Sequence, residues 1–164
     1  MDKYYYFVSQ LPFLKFNEKV EFYKTSFLKE AAKWLSGKAL RSLSEVNINN
    51  FYYNSSDCAV ICNYKNFEER LRKDLVFVRK SSGTISGYQL PEDIKQALSA
   101  TSPLDIEEKL LLLRWKFIDE QEQGHFFDLD FLKLYFLKLQ ILERLFRFNK
   151  KEGITIFDTL CEVS

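Results

Sequence analysis

Apolar positions along the chain fall mostly into helical stripes, separated by breaks at Gly, Pro, Ser and Asn. The first apolar run, Tyr4 to Val8, fits a short strand or the first turns of a buried helix, and Pro12 ends either one. A helix is predicted from about Lys19, with Ser26 as a local N-cap. Phe27, Leu28, Ala31, Ala32 and Leu35 form its stripe. Ser36-Gly37 breaks it, and Ala39, Leu40 and Leu43 suggest a further short helix. From Val46 to Asn66 asparagines and serines interrupt any period, which predicts a loop, or a loop around a short strand at Ala59 to Cys62. Asn66 with Glu69 then resembles a capping box. The stripe that follows is Phe67, Leu71, Leu75 and Val78, with Glu68, Glu69, Arg72 and Lys73 on the opposite face. Ser81-Ser82-Gly83 is the expected stop, and a short helix is predicted around Glu92 to Leu98.

The last third carries the clearest signals. Ser102-Pro103-Leu104-Asp105 places Ser at N-cap, Pro at N1 and an acid at N3. This helix should run to about Gln123, with Gly124 as its stop. Leu110 to Leu113 is apolar all round and asks for burial on more than one side. Asp128 or Asp130 then caps a final long helix, with fourteen apolar residues between Phe127 and Phe148. Gln140, Glu143, Arg144 and Arg147 mark its expected wet stripe. Asn149 and Gly153 should end it, leaving a last short helix over Thr155 to Glu162, held by Ile156, Phe157 and Leu160. The pattern as a whole predicts an all-α protein of two packed helical lobes, hairpins or a bundle, with at most a short extended segment at the N-terminus. The expected division is an N-terminal helical segment with the Asn-rich loop over 1–65 and a helical bundle over 66–164, which could join as one domain.

Composition narrows the function classes. With 24 basic residues against 23 acidic the net charge is +1, so bulk electrostatics gives no case for nucleic acid or an anionic membrane. Three cysteines, Cys58, Cys62 and Cys161, make no C-x-x-C pair and fit a reducing compartment rather than a disulfide framework. No stretch has the length and apolarity of a signal peptide or a membrane span, so a cytoplasmic protein is expected. Aromatic residues make up 16% of the chain, enough to fill a core and leave some rings for a partner.

Candidate chemistry is sparse. His125 with Asp128 and Asp130 puts three donors in six residues, yet acids at a helix start are ordinary caps, and no metal or catalytic role is assigned. The five glycines are isolated, so no phosphate-cradling loop is present, and no cofactor is expected. Adjacent carboxylates such as Glu68-Glu69 and Glu107-Glu108 point apart on a helix. A basic face on the Phe67 helix, including Arg70 and Arg79, suits an acidic protein partner. Arg114-Trp115 offers the residue types that dominate interface hot spots, against the alternative of a Trp buried in the hairpin core. Arg70, Arg79, Arg114 and Trp115 are therefore the partner-contact candidates.

Three segments together resemble a known family: Tyr4 to Pro12, Phe67 to Arg79, and the run with Pro103-Leu104-Asp105-Ile106-Glu107, Arg114-Trp115, Gly124 to Asp130 and Leu137 to Arg144. They are similar to an uncharacterised bacterial family encoded within operons for V/A-type rotary ATPases. Its members look like shortened relatives of the C-type (in eukaryotes d-type) socket of those machines. The resemblance implies an all-helical, non-enzymatic component or accessory of an ion-transporting ATP synthase. The C-type socket seats the central stalk on the membrane ring, so stalk or ring subunits are the implied partners. Location would then be cytoplasmic, or peripheral on the inner membrane through the ATPase. The chain has about half the expected length of a full C-type socket, which also fits an assembly factor. The alternative is a helical adaptor acting by protein–protein interaction.

Overall fold

A computed structural model describes residues 4–80 and 89–162, with side chains as far as 147. Among the described residues there are seven helices and no strand: α1 (Tyr5–Gln10), α2 (Lys24–Trp34), α3 (Gly37–Ser44), α4 (Ala59–Lys80), α5 (Glu92–Leu98), α6 (Pro103–Gln121) and α7 (Leu129–Glu162). None of them is long and apolar enough to cross a membrane. The expected stop at 81–83 lies outside the described residues.

The hairpin of α6 and α7 forms as its signals predict. Ser102 Oγ accepts from the Leu104 N–H at 3.2 Å, and Pro103 occupies the first turn. Gly124 adopts φ +89, a left-handed conformation that a side chain would strain. Asp128 caps α7, its Oδ1 accepting from the Phe131 N–H at 2.8 Å. Every residue from Leu132 to Leu139 is buried, so this part of α7 has no free face. The helix then continues past Asn149 and Gly153 to Glu162, in place of the expected break and separate short helix. One glycine inside a helix costs only about 1 kcal/mol relative to Ala, too little to end a long one by itself.

The N-terminal half departs more from its pattern. Of the two readings open for the first run the helix is the one found, Tyr5–Gln10, with Phe7 inward and Tyr5 and Tyr6 outward. Helix α2 begins at Lys24, not Lys19, and Ser26 is not its cap. Its first N–H, that of Lys24, donates to Glu143 Oε1 of α7 at 2.7 Å. A carboxylate from a distant helix thus meets the positive end of α2. Helix α3 is capped locally, Ser36 Oγ accepting from the Ala39 N–H at 3.4 Å.

Neither the strand at Ala59 to Cys62 nor the helix start at Asn66 is found, because α4 begins at Ala59. Its buried positions are Val60, Ile61, Tyr64, Lys65, Glu68, Leu71 and Asp74. Nearly half of that stripe is polar, so a hydrophobic pattern could not show it. The loop before α4 is held by the expected wet stripe of α7. Gln140 Oε1 accepts from the Ile48 N–H at 3.1 Å, and Gln140 Nε2 donates to the Val46 carbonyl at 2.9 Å. Arg144 Nη1 donates to Asn49 Oδ1 at 3.1 Å. Of the four stripe residues Arg147 alone is exposed.

Among the described residues two apolar clusters hold the helices together. The larger joins α1, α2, α3, the start of α4, α6 and α7, with Phe27 stacked against Tyr135 and Phe136 at 5.4 Å each. Burying one such ring contributes roughly 1.5–3 kcal/mol. The smaller packs Leu71, Ile94, Ala97 and Leu110 where α4, α5 and α6 meet. The expected division at 65/66 falls inside α4, and the larger cluster draws on both sides of it.

Candidate functional site

Helices α4 and α6 bring Glu68 and Arg114 together inside the protein. Glu68 is wholly buried. Its carboxylate accepts from Arg114 Nε at 2.8 Å and Nη2 at 2.9 Å, a two-pronged pair. Arg72, one turn along α4, adds a third bond from Nε at 2.9 Å, stacks over Phe51 at 4.5 Å, and reaches the Asn49 carbonyl through Nη2 at 3.3 Å. Burial alone would raise the Glu68 carboxyl. The bonds and charge of Arg114, then of Arg72, outweigh burial and hold it below its ordinary value. Arg114 is correspondingly held up: burial disfavours its charge and Glu68 more than restores it. Tyr64 beside them is pushed up by burial and then by Glu68, and its hydroxyl donates to the Ile48 carbonyl at 3.0 Å. Both oxygens of Glu68 are taken by the two arginines, and Arg72 and Tyr64 reach on to the carbonyls of Asn49 and Ile48. The geometry of the cluster is that of a tie between helices.

The contact candidates separate accordingly. Arg114 and Trp115 lie inside, Trp115 against Phe16 with centroids 5.7 Å apart and under Lys138 Nζ at 5.2 Å. That lysine, itself buried, is held by Asp119 at 2.5 Å and Glu122 at 2.7 Å. Arg114 meets the Glu68 carboxylate in place of a partner's, and Trp115 fills the hairpin core. Arg70 and Arg79 are exposed on α4 and keep their side chains in solvent. The structure does not bring the four into one surface.

His125 sits 2.6 Å from Asp128 Oδ2 through Nδ1, while the other oxygen of Asp128 caps α7. The pair fastens the turn between α6 and α7. Asp130 points elsewhere, 4.0 Å from Lys133. Among the described residues no three His, Cys, Asp or Glu side chains converge as metal ligands would.

What sequence patterns do not single out is an exposed aromatic edge. Phe127 at the hairpin turn lies 4.8 Å from Tyr5, Tyr5 lies 5.7 Å from Tyr6, and Tyr6 stacks on Trp34 at 6.5 Å. Tyr6 is 69% exposed and Trp34 42%, and Phe126 beside Phe127 is 67% exposed. The rings come from α1, the end of α2 and the α6–α7 turn. Their one early signal is Tyr4-Tyr5-Tyr6-Phe7, since a helix this short can turn only part of its aromatic run inward. Connected exposed rings of this kind mark protein-binding surfaces.

Residues 86–163, just under half of the chain and including α5, α6 and α7, match the family described as Protein of unknown function (DUF2764). No curated protein and no solved structure matches the chain. At its C-terminal half the chain is therefore similar to an uncharacterised family whose matched span is the capped hairpin together with the short helix before it.

Proposed function

We propose that this chain is a non-enzymatic component or accessory of a V/A-type rotary ATPase, similar in role to the C-type socket between central stalk and membrane ring. It would hold or transmit rather than react. The ATPase assignment is supported by the resemblance of the three sequence segments. Its most specific part, Pro103 to Arg144, falls on α6, the turn and the start of α7. The observation that carries a docking role is the run of Phe127, Tyr5, Tyr6 and Trp34, four neighbouring rings of which the last three are exposed. Aromatic side chains offer a partner large contact area at low entropic cost. Exposed Arg70 and Arg79 on α4 supply charge for an acidic stalk or ring surface.

The deciding experiment is a tagged purification from native membranes in mild detergent, with the recovered proteins identified. Stoichiometric recovery of stalk and ring subunits is expected. Recovery of the chain alone, from cells that make the ATPase, would overturn the assignment as a resident component. ATP hydrolysis that scales with the concentration of the isolated chain would overturn its non-enzymatic character.

A further inference from the structure

Among the described residues three lysines are buried: Lys65, Lys133 and Lys138. Lys65 has a carboxylate at 2.6 Å and Lys138 has two, at 2.5 and 2.7 Å. Lys133 differs. Its side chain is only 5% exposed, and among the described residues the one carboxylate within 4.0 Å is Asp130, at that limit. The atom its Nζ meets closely is the sulfur of Cys58, at 3.3 Å. A buried ammonium normally demands closer compensation than a thiol provides. Cys58 stands immediately before α4 and is partly open to solvent.

We propose that Cys58 and Lys133 form a sulfur–nitrogen cross-link, a sulfenamide, when the protein meets hydrogen peroxide. In the first step the Cys58 sulfur attacks one peroxide oxygen. The O–O bond breaks, the sulfur is oxidised to a sulfenic acid, and water leaves. In the second, the Lys133 ammonium gives up one proton to solvent, and the lone pair so freed attacks that sulfur. The S–N bond forms, the S–O bond breaks, and the departing hydroxide leaves as water with a proton from the amine. Asp130, beside both groups, relays that proton. One thiol, one amine and one peroxide thus give one cross-link and two waters. Sulfenic acids condense with nitrogen in this way when one is held in place, and here a side-chain amine is held where a backbone amide otherwise serves.

Burial, and then the hydrogen bond to Asp130, push the Cys58 thiol up, so it is mostly protonated at neutral pH and reacts slowly. The link would fasten the start of α4 and the Asn-rich loop to the beginning of α7. It answers oxidation with a covalent bond between two helices, reversible by a thiol that attacks the same sulfur.

The test uses the full chain with Cys62→Ser and Cys161→Ser, which removes competing disulfides. After peroxide treatment, intact mass should fall by about 2 Da, the two hydrogens lost in the balance above. Peptide mapping should join the Cys58 and Lys133 peptides, and dithiothreitol should undo both changes. Lys133→Gln in the same background should instead gain one or two oxygens on Cys58. The mapping on the chain that keeps Lys133 decides without that variant, should the variant fail to fold. Oxygen gained on Cys58 with the Lys133 peptide free, a cross-link one oxygen heavier, or no reaction where the urea-unfolded chain is oxidised would each overturn the proposal.

Discussion

The α6–α7 hairpin and the stretch before α4 are both helical, yet they set their helix boundaries by different means. In the hairpin each start is supplied by a neighbour in sequence: Ser102 for α6 and Asp128 for α7, with Gly124 turning the chain between them. In the N-terminal half, α2 takes its first partner from Glu143, 119 residues away, and the Asn-rich loop takes several of its partners from Gln140 and Arg144. The hairpin is a scaffold that specifies itself, whereas much of the N-terminal half is specified by the hairpin's polar face. A polar residue on a helix can therefore serve another element's backbone rather than water.

The strongest way to break this arrangement is at Glu68, where α4 joins the hairpin. Glu68→Gln leaves Arg114 buried without its carboxylate and should cost about 3–5 kcal/mol in urea unfolding. Replacing the pair together, as Glu68→Met with Arg114→Leu, should recover most of that loss, as apolar substitutes for buried ion pairs commonly do. A double variant no more stable than the single one would show that the tie does more than compensate itself. The same pair gives a pH signature. Because the Glu68 carboxyl is held below its unfolded value, its stabilisation is complete above about pH 4.3 and lost as pH falls through the folded value. Acid unfolding should therefore become shallower in the double variant.

Smaller changes sharpen the contrast between local and distant caps. Glu143→Ala should cost about 1 kcal/mol, and hydrogen exchange should speed up at the start of α2 although the substitution lies in α7. Ser102→Ala should cost a similar amount, with faster exchange confined to the first turn of α6 itself. Exchange unchanged in α2 after loss of Glu143 would refute the distant cap. A cost of comparable size, about 1 kcal/mol, is expected for Gly124→Ala. Nothing lies within 4 Å of the added methyl, so the cost is that of the left-handed backbone alone. It should appear as a lower urea midpoint with an unchanged slope.

These differences explain what can be read from the chain in advance. The seven-residue α5, the Ser102 cap, the Gly124 turn and the all-round burial of the hairpin are legible because periodicity and capping are local. The start of α4 is hidden because Lys65, Glu68 and Asp74 occupy its buried stripe, and a scale of hydrophobicity assigns such residues to solvent. Arg114 looks like an anchor for a partner because its own partner lies 46 residues earlier. Val46 to Asn66 looks like one loop because many of the bonds that organise it come from distant positions on α4 and α7. The aromatic edge is illegible for a related reason. Three separate segments supply it, and only the packed fold brings their rings together.

The two tryptophans give these regions separate voices. Trp115 is sealed in the hairpin core, 5% exposed, while Trp34 stands on the aromatic edge, 42% exposed. Dissolved quenchers such as acrylamide or iodide should reach Trp34 and spare Trp115. Light emitted at longer wavelength should therefore report whether anything sits on the edge, and light emitted at shorter wavelength whether the core is intact. The native protein thus carries its own pair of probes, one for docking and one for unfolding, without any label being added.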